Sequence, residues 1–335
     1  MAVPASGEQH EISAGALRAV VTEVGGALRS FTDDGRDLVV PFDLASPRRH
    51  YRGSVLAPWP NRTGDGRWAW QGTEQQLALT EPDRSCALHG LVCWQPWDLV
   101  ERSIDSVVLT TTVWPQTGYP GHLELRVSYR LVEEGPDAGL TWELEATGIG
   151  EVPAPYGSSI HPYVVAGPGR VDDWTFELSA DAALAVDPER LLPVLDDDGR
   201  EQLRPVDSTD LDFRGGAPLR GRSIDDAYAQ LSGPSAGTAR VLTADGTGVA
   251  IHWDPQDCPW VQVHTADRPE PEDDRVGLAV EPMTCPPDAL RTGTDLRVLE
   301  RGQSTRSWWR IEPLRGTGAG TRGGAGSETL GLTGP

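Results

Sequence analysis

The sequence predicts an all-β protein, and three observations support this prediction. Residues 123–131 and 139–146 alternate apolar and polar side chains with the period of two that is typical of half-buried strands. Clusters of turn-forming residues separate the apolar runs, and 38 Gly and 28 Pro are distributed along the chain. Long segments with the helical period of about 3.6 residues are scarce. The chain therefore favours many short strands joined by tight turns.

The predicted strands follow one another without a linker that would divide the chain. In order, they cover residues 106–113, 123–131, 139–146, 240–243, 248–253, 260–265, 275–281 and 307–312. In the strand at 275–281, Gly277, Ala279 and Glu281 project from the same face, because side chains alternate along a strand. Since Gly277 and Ala279 are small, this face leaves room for a ligand beside Glu281.

The length of 335 residues is compatible with two domains, but large all-β domains of this length also occur as one unit. We expect residues 1–314 to form a single domain. Residues 315–335 are rich in Gly and poor in apolar side chains, so burial cannot offset the entropy lost by ordering them. We expect this segment to be a disordered tail.

The charge balance is strongly acidic, with 29 basic and 50 acidic residues and a net charge of −21 at pH 7. Such a charge repels nucleic-acid phosphates and anionic lipid surfaces, so we expect neither kind of partner. All basic residues are Arg, which excludes covalent catalysis by a Lys amine. The sequence has no apolar run near the ~20 residues of a spanning helix and no secretory signal pattern, and its four Cys include no C-x-x-C pair. We therefore expect a cytoplasmic protein.

Four segments place an ionisable side chain beside residues that fix the backbone, and these side chains are Arg62, His89, His161 and Glu281. Two prolines stiffen the approach to Arg62. A proline directly follows His161 and another follows Glu281, and each holds the preceding residue extended. Taken singly, each segment also fits a plain structural role: a loop Arg, a core His or a Glu at the end of a strand.

A fifth candidate is the pair Asp225 and Asp226, either of which could be an N-cap or a loop carboxylate. Four other histidines match no catalytic pattern, and we expect them to be structural or exposed to solvent. They are His50, His122, His252 and His264.

Taken in order, these segments resemble the aldose 1-epimerases, or sugar mutarotases, of the galactose-mutarotase-like superfamily. The resemblance covers roughly residues 15–313. It rests on Pro-Asn-Arg62 with a following Gly-x-Gly-Arg, Leu88-His89-Gly90, Gly157-x-x-x-His161-Pro-Tyr163, Ile224-Asp225-x-x-Tyr228 and Glu281-Pro. The first two motifs are most similar to the bacterial branch that includes sulfoquinovose-type mutarotases.

The resemblance implies a large, many-stranded antiparallel β-sandwich with an open cleft. It also implies an aldose 1-epimerase that interconverts the α and β anomers of a free aldohexose without a cofactor or a metal. By the same resemblance, Glu281 is the general base on the anomeric hydroxyl and His161 is the general acid on the ring oxygen. Arg62, His89 and Asp225 would bind sugar hydroxyls.

Two further expectations concern the substrate. Trp59 could pack against the C–H face of a pyranose ring, as aromatic side chains commonly do. Arg48, Arg49 and Arg52 could form an anion site for a charged hexose, or they could be a solvated basic loop.

Two other functions remain open from the residues alone. A glycosidase would use Asp225 and Glu281 as its pair of carboxyl groups, at a separation that depends on its stereochemistry. A non-catalytic sugar-binding domain could share the same fold.

Overall fold

Two large antiparallel sheets dominate the computed structural model, which describes residues 3–316. The prediction of an all-β sandwich is confirmed. The tail predicted at 315–335 lies outside the described residues, except for Arg315 and Gly316.

Short strands form the first part of the chain. They are β1 (Gln9–Ala14), β2 (Leu17–Thr22), β3 (Leu28–Asp33), β4 (Arg36–Asp37), β5 (Val55–Leu56), β6 (Arg62–Gly64), β7 (Arg67–Trp70), β8 (Thr73–Gln76) and β9 (Cys86–Leu88). Strands β1 to β4 form a four-stranded sheet in chain order, β6 pairs with β9, and β7 pairs with β8.

The remaining strands build the two large sheets and two small ones. They are β10 (Asp98–Arg102), β11 (Ser106–Val113), β12 (Leu123–Val132), β13 (Gly139–Gly148), β14 (Ala154–Tyr156), β15 (Ser159–Ile160), β16 (Tyr163–Val164), β17 (Thr175–Leu178), β18 (Ala180–Leu184), β19 (Leu203–Pro205), β20 (Ala217–Pro218), β21 (Asp225–Leu231), β22 (Thr238–Leu242), β23 (Gly248–Trp253), β24 (Trp260–His264), β25 (Leu278–Met283), β26 (Arg297–Leu299) and β27 (Ser304–Leu314). The nine-stranded sheet has the order β10-β11-β12-β13-β27-β23-β22-β17-β20, and the six-stranded sheet has the order β16-β25-β24-β21-β18-β19. Strand β5 pairs with β15, and β14 pairs with β26.

Helical structure among the described residues is limited to single turns. Two are 3-10 turns at Pro82–Arg84 and Val171–Asp173, and one is an α-helical turn at Ala289–Thr292. None of the described helices is long and apolar enough to cross a membrane.

The predicted strands at 106–113 and 248–253 have the bounds of β11 and β23. The strand predicted at 275–281 was placed too early, because β25 begins at Leu278 and continues to Met283. Arg275 has a φ of +51°, in the left-handed region that lies outside the regular extended strand conformation. Its guanidinium instead joins Asp172 and Asp267, and this pairing belongs to a loop that precedes the strand.

Strand β25 is buried along its whole length, and its two faces have different neighbours. Leu278 and Val280 belong to the main hydrophobic core. Ala279 and Glu281 project from the opposite face. The six-stranded sheet therefore has one face in the core and another available for a site.

Trp309 connects the two large sheets. It lies on β27, is fully buried, and donates a hydrogen bond from Nε1 to the carbonyl oxygen of Pro282 at 3.0 Å. Pro282 directly follows Glu281 on β25. The nine-stranded sheet thus supports the end of the strand that carries this carboxyl group.

We expect the Trp309→Ala substitution to lower the free energy of unfolding by about 3–5 kcal/mol, because it leaves a large cavity between the sheets. Trp309→Phe keeps most of the volume and loses one hydrogen bond, so its cost is expected to be smaller, about 1–2 kcal/mol. Denaturant unfolding followed by far-UV circular dichroism measures both. Equal losses in the two variants would mean that the hydrogen bond, and not the packed volume, is the main contribution.

Candidate active site

A pocket of about 700 Å³ opens on the free face of the six-stranded sheet. It brings together five of the residues predicted from the sequence, namely Arg62, His89, His161, Asp225 and Glu281. These residues come from segments that are up to 219 positions apart in the sequence (281 minus 62). Tertiary folding therefore assembles the predicted set at one place.

The floor of the pocket follows from strand register. Glu281 on β25 lies opposite Gln262 on β24, and Asp225 on β21 lies opposite His264 on β24. Residues paired across antiparallel strands point to the same face, so these four side chains share the pocket side of the sheet. Ala279 occupies the same face two residues before Glu281 and is small, as predicted from strand parity.

Glu281 and His161 form the buried pair of the pocket. Nε2 of His161 lies 3.5 Å from Oε1 of Glu281, and the two side chains are only 6% and 2% exposed. Oε2 of Glu281 and Nδ1 of His161 are also buried, and neither has a hydrogen-bond partner among the described residues. Buried polar atoms are normally paired, so both atoms are exceptions, and Oε2 of Glu281 indicates a place where a ligand hydroxyl can bind.

Burial determines the ionisation of this pair, because a low-dielectric environment disfavours either charged form. Burial raises the pKa of Glu281 well above its ordinary value, nearby Asp225 raises it further, and Arg62 acts in the opposite direction. Burial lowers the pKa of His161 well below its ordinary value, and the neighbouring His89, His264 and Arg268 add to this effect. Burial therefore disfavours the charged forms of both Glu281 and His161.

Arg62 is held in a fixed orientation at the start of β6. Its Nε and Nη2 donate to the two carboxylate oxygens of Glu81 at 2.8 and 2.9 Å. Its Nη2 also lies 3.7 Å from Oδ2 of Asp225. This planar, two-point contact leaves the guanidinium little freedom, which suits a group that orients a ligand.

His89 follows β9 in a left-handed conformation with φ of +63°. Its Nδ1 accepts a hydrogen bond from the backbone N–H of Asn61 at 3.2 Å. Burial lowers the pKa of His89 well below its ordinary value, and the positive charge of Arg62 is the second cause of this shift. The neutral ring therefore carries its hydrogen on Nε2 and can donate a hydrogen bond there.

Asp225, rather than Asp226, contacts the other predicted residues. Its Oδ1 accepts a hydrogen bond from Nε2 of Gln262 at 2.7 Å. Asp226 also lines the pocket, but its carboxylate is paired with Arg204.

His264 and His50, which we expected to be structural or exposed to solvent, both line the pocket. Nε2 of His264 accepts a hydrogen bond from Arg268 at 3.0 Å, and its Nδ1 lies 3.3 Å from the carbonyl oxygen of Ile224. Arg268 can only donate, so the hydrogen of neutral His264 resides on Nδ1. Gln262 and Glu81 were also missed. The alternation of β24 could have placed Gln262 and His264 on one face, but only the register shows that this face is the pocket.

The structure does not place Trp59 with the other predicted residues. Its side chain is 3% exposed, belongs to the main core and packs 6.3 Å from the ring of Tyr119. The indole is the largest apolar group of its segment, and burying it in the core gains more than exposing it at a pocket wall.

The arginines upstream of Arg62 are not an open anion site. Arg48 is buried and donates to the backbone carbonyl of Cys93. Arg49 and Arg52 each bind the carboxylate of Asp273 at 2.7 Å. None of these three arginines lines the pocket. The expectation of an anion site is corrected, since two of the three charges are already neutralised within the chain.

The part of the chain that the structure describes contains no evident metal site. No group of three or more His, Cys, Asp or Glu side chains is arranged to hold a metal ion within residues 3–316.

Comparison with known proteins agrees with this architecture. The family model described as aldose 1-epimerase matches residues 8–312. YihR, an uncharacterised protein of Escherichia coli K12, is 35% identical over 314 residues, which cover 91% of this chain and 93% of YihR.

Two solved structures are similar in fold. The GalM/aldose epimerase homologue from C. elegans has a TM-score of 0.77 at 19% identity, over 92% of this chain and 99% of that one. Galactose 1-epimerase from Lactobacillus acidophilus NCFM has a TM-score of 0.71 at 19% identity, over 90% and 92% of the two chains. The fold is therefore the galactose mutarotase-like β-sandwich, and the match to the family model over nearly the whole described chain shows that this protein belongs to the aldose 1-epimerase family.

Proposed function

We propose that this protein is a mutarotase that interconverts the α and β anomers of a free aldohexose. The observation that carries the proposal is the buried pair of Glu281 and His161, with 3.5 Å between Oε1 and Nε2 and an unpartnered polar atom on each side chain. One group of this pair can take a proton while the other gives one. Membership of the aldose 1-epimerase family supports a sugar as the substrate.

The reaction requires two proton transfers on opposite sides of the anomeric carbon. A base removes the proton of the anomeric hydroxyl, and an acid delivers a proton to the ring oxygen as the C1–O5 bond breaks. The C1–C2 bond of the open aldehyde then rotates, and closure on the other face returns both protons. The sugar keeps its oxidation state, so the chemistry needs no redox cofactor. Positioned acids and bases of this kind typically contribute ~10²–10⁴ in rate each.

Within this reaction, Glu281 is the proposed base and His161 the proposed acid. Glu281 acts in its carboxylate form and His161 in its protonated form, and burial disfavours both of these charges. A sugar hydroxyl that donates to Oε2 of Glu281 would stabilise the carboxylate. The positive charge of Arg62 acts in the same direction.

The other pocket residues supply hydrogen bonds that orient the ring. His89 presents a donor at Nε2, Asp225 presents carboxylate oxygens, and Arg62 presents the rest of a guanidinium that Glu81 holds in place. Gln262 adds an acceptor, because its Oε1 is buried without a partner among the described residues. The pocket wall thus presents both donors and acceptors, which suits the hydroxyl groups of an aldohexose.

We expect Glu281→Gln and His161→Asn each to lower the rate of anomer exchange by about 10²-fold or more, because each removes one of the two proton carriers. Polarimetry and exchange NMR on a panel of neutral and anionic aldohexoses measure the rate. His252→Asn is the matched control, since His252 lies on β23 and bonds to Glu312 away from the pocket. A Glu281→Gln protein with the wild-type rate would refute the assignment of the base.

Two further assays test the two other functions. Cleavage of aryl glycosides by the wild-type protein, with loss in Asp225→Asn and Glu281→Gln, would indicate a glycosidase instead. Binding of a hexose in calorimetry without any acceleration of anomer exchange would indicate a binding protein.

The pH dependence of kcat/KM follows from the singly protonated pair, which is the active form and titrates as a unit. With the ordinary pKa values of 4.5 and 6.5, ionised Glu and protonated His would coexist only in a narrow range between them. Here the pKa of Glu281 is raised and that of His161 is lowered, so the pair gains its second proton below pH 6.5 and loses its last proton above pH 4.5. We expect the acid limb of kcat/KM below pH 6.5 and the alkaline limb above pH 4.5. An acid limb above pH 6.5, or an alkaline limb below pH 4.5, would contradict these shifts.

A further inference from the structure

We propose that Asp273 is a positioning residue of this site, which holds Tyr51 against the imidazole of His161. The proposal rests on the proposed function, because His161 is important here as the acid. Asp273 itself does not line the pocket. Its influence passes through a turn that we call the clamp turn, residues 49–53.

Asp273 binds three polar side chains of the clamp turn. Its Oδ2 accepts from Nη1 of Arg49 at 2.7 Å and lies 3.3 Å from Nε2 of His50, and its Oδ1 accepts from Nη2 of Arg52 at 2.7 Å. Asp273 is only 5% exposed. These contacts lower its pKa to about 2, although burial alone would raise it. The carboxylate is therefore charged and anchored at neutral pH.

The clamp turn has a backbone that this anchor must stabilise. His50 and Tyr51 both have a φ of +54°, and a left-handed conformation is unfavourable for a residue other than Gly. Gly53 is also left-handed, and a Cβ there would lie 1.9 Å from the carbonyl oxygen of Leu28. Two consecutive unfavourable residues are retained only where surrounding contacts fix them.

The clamp turn and the residue that follows it, Ser54, are both hydrogen-bonded to the backbone of His161. The N–H of Gly53 donates to the carbonyl oxygen of His161 at 2.8 Å, and the N–H of His161 donates to the carbonyl oxygen of Ser54 at 3.0 Å. A displacement of the turn would therefore displace His161 as well.

Aromatic side chains surround the imidazole of His161. The ring of Tyr51 lies nearly parallel to it, at 6.4 Å between centroids and 13° between planes. Tyr51 also meets the edge of His89 at 4.7 Å. The ring of Tyr163 lies 5.0 Å from that of His161, and the guanidinium of Arg52 lies 5.9 Å from Tyr163. Asp273 thus reaches the neighbours of His161 through both Tyr51 and Arg52.

Packing has to orient this ring, because Nε2 makes only the 3.5 Å contact with Oε1 of Glu281 and no hydrogen bond among the described residues holds the imidazole. Nδ1 of His161 has no partner among the described residues, whereas a functional His is usually oriented by a bond at the nitrogen that does not react. Tyr51, His89 and Tyr163 take over that role. Loss of the Asp273 anchor would let Tyr51 relax and would misalign the acid with the ring oxygen.

The test uses the full chain and its best hexose, with Asp273→Asn, Tyr51→Ala, Tyr51→Phe and the double variant Asp273→Asn/Tyr51→Ala. We expect Asp273→Asn to lower kcat about ten- to a hundredfold, as small misplacements of a reacting group do, with KM within about twofold. Tyr51→Ala should lower kcat similarly, and Tyr51→Phe, which keeps the ring, should retain the wild-type kcat. The kcat of the double variant should lie within about twofold of that of Tyr51→Ala, because both changes act on one contact.

Side-chain NMR of ¹³C-labelled histidines tests the positioning without relying on activity. In Asp273→Asn and Tyr51→Ala, the His161 resonance should shift or broaden, and that of His252 should not. Circular dichroism below the unfolding temperature confirms that each variant is folded. A wild-type kcat in Tyr51→Ala, or an unchanged His161 resonance in both variants, would overturn the proposal. If the wild-type protein exchanged no hexose, the proposed function would fail, and the resonance would still decide whether Asp273 positions His161.

Discussion

The burial of Glu281 beside His161 is the constraint on which the rest of the site depends. A carboxyl group that is 2% exposed is costly to ionise unless positive charge or hydrogen bonds compensate. No arginine lies within 4.0 Å of this carboxylate among the described residues, and Arg62 acts on it from a greater distance. Burial therefore disfavours a fixed ion pair between Glu281 and His161. That property suits a reaction that must proceed equally well in either direction.

The two sheets divide the task of holding this pair. The six-stranded sheet supplies Glu281, Asp225 and Gln262 from adjacent strands, whose register fixes their spacing. The nine-stranded sheet does not enter the pocket, but Trp309 binds the carbonyl oxygen of Pro282 from its side of the core. Ser159 donates to the same oxygen at 2.9 Å. Since Pro282 has no N–H to give to the ladder, these two bonds compensate for a weak point directly beside the proposed base.

Local chemistry could be predicted from the sequence, and long-range assembly could not. The prolines after His161 and Glu281, and the alternation that puts Ala279 beside Glu281, are properties of neighbouring residues. The burial of Trp59 in the core, the pairing of Arg49 and Arg52 with Asp273, and the presence of His264 in the pocket all depend on contacts between distant segments. For His264, alternation alone does not decide whether its face of the strand is turned to the core or to the pocket. The family resemblance could still be found from the sequence, because it rests on the order of the motifs along the chain. That order does not depend on contacts between distant segments.

The distribution of charge explains how a chain of net charge −21 can present a nearly neutral reacting pair. Three carboxylates around the pocket are paired with arginines, namely Glu81 with Arg62, Asp226 with Arg204 and Asp267 with Arg275. Because these three charges are paired locally, burial is the main influence on the pKa of Glu281, and Asp225 is the next. An aldohexose that enters with only neutral hydroxyls would then meet fixed donors and acceptors at the wall and the buried pair of Glu281 and His161 at the floor.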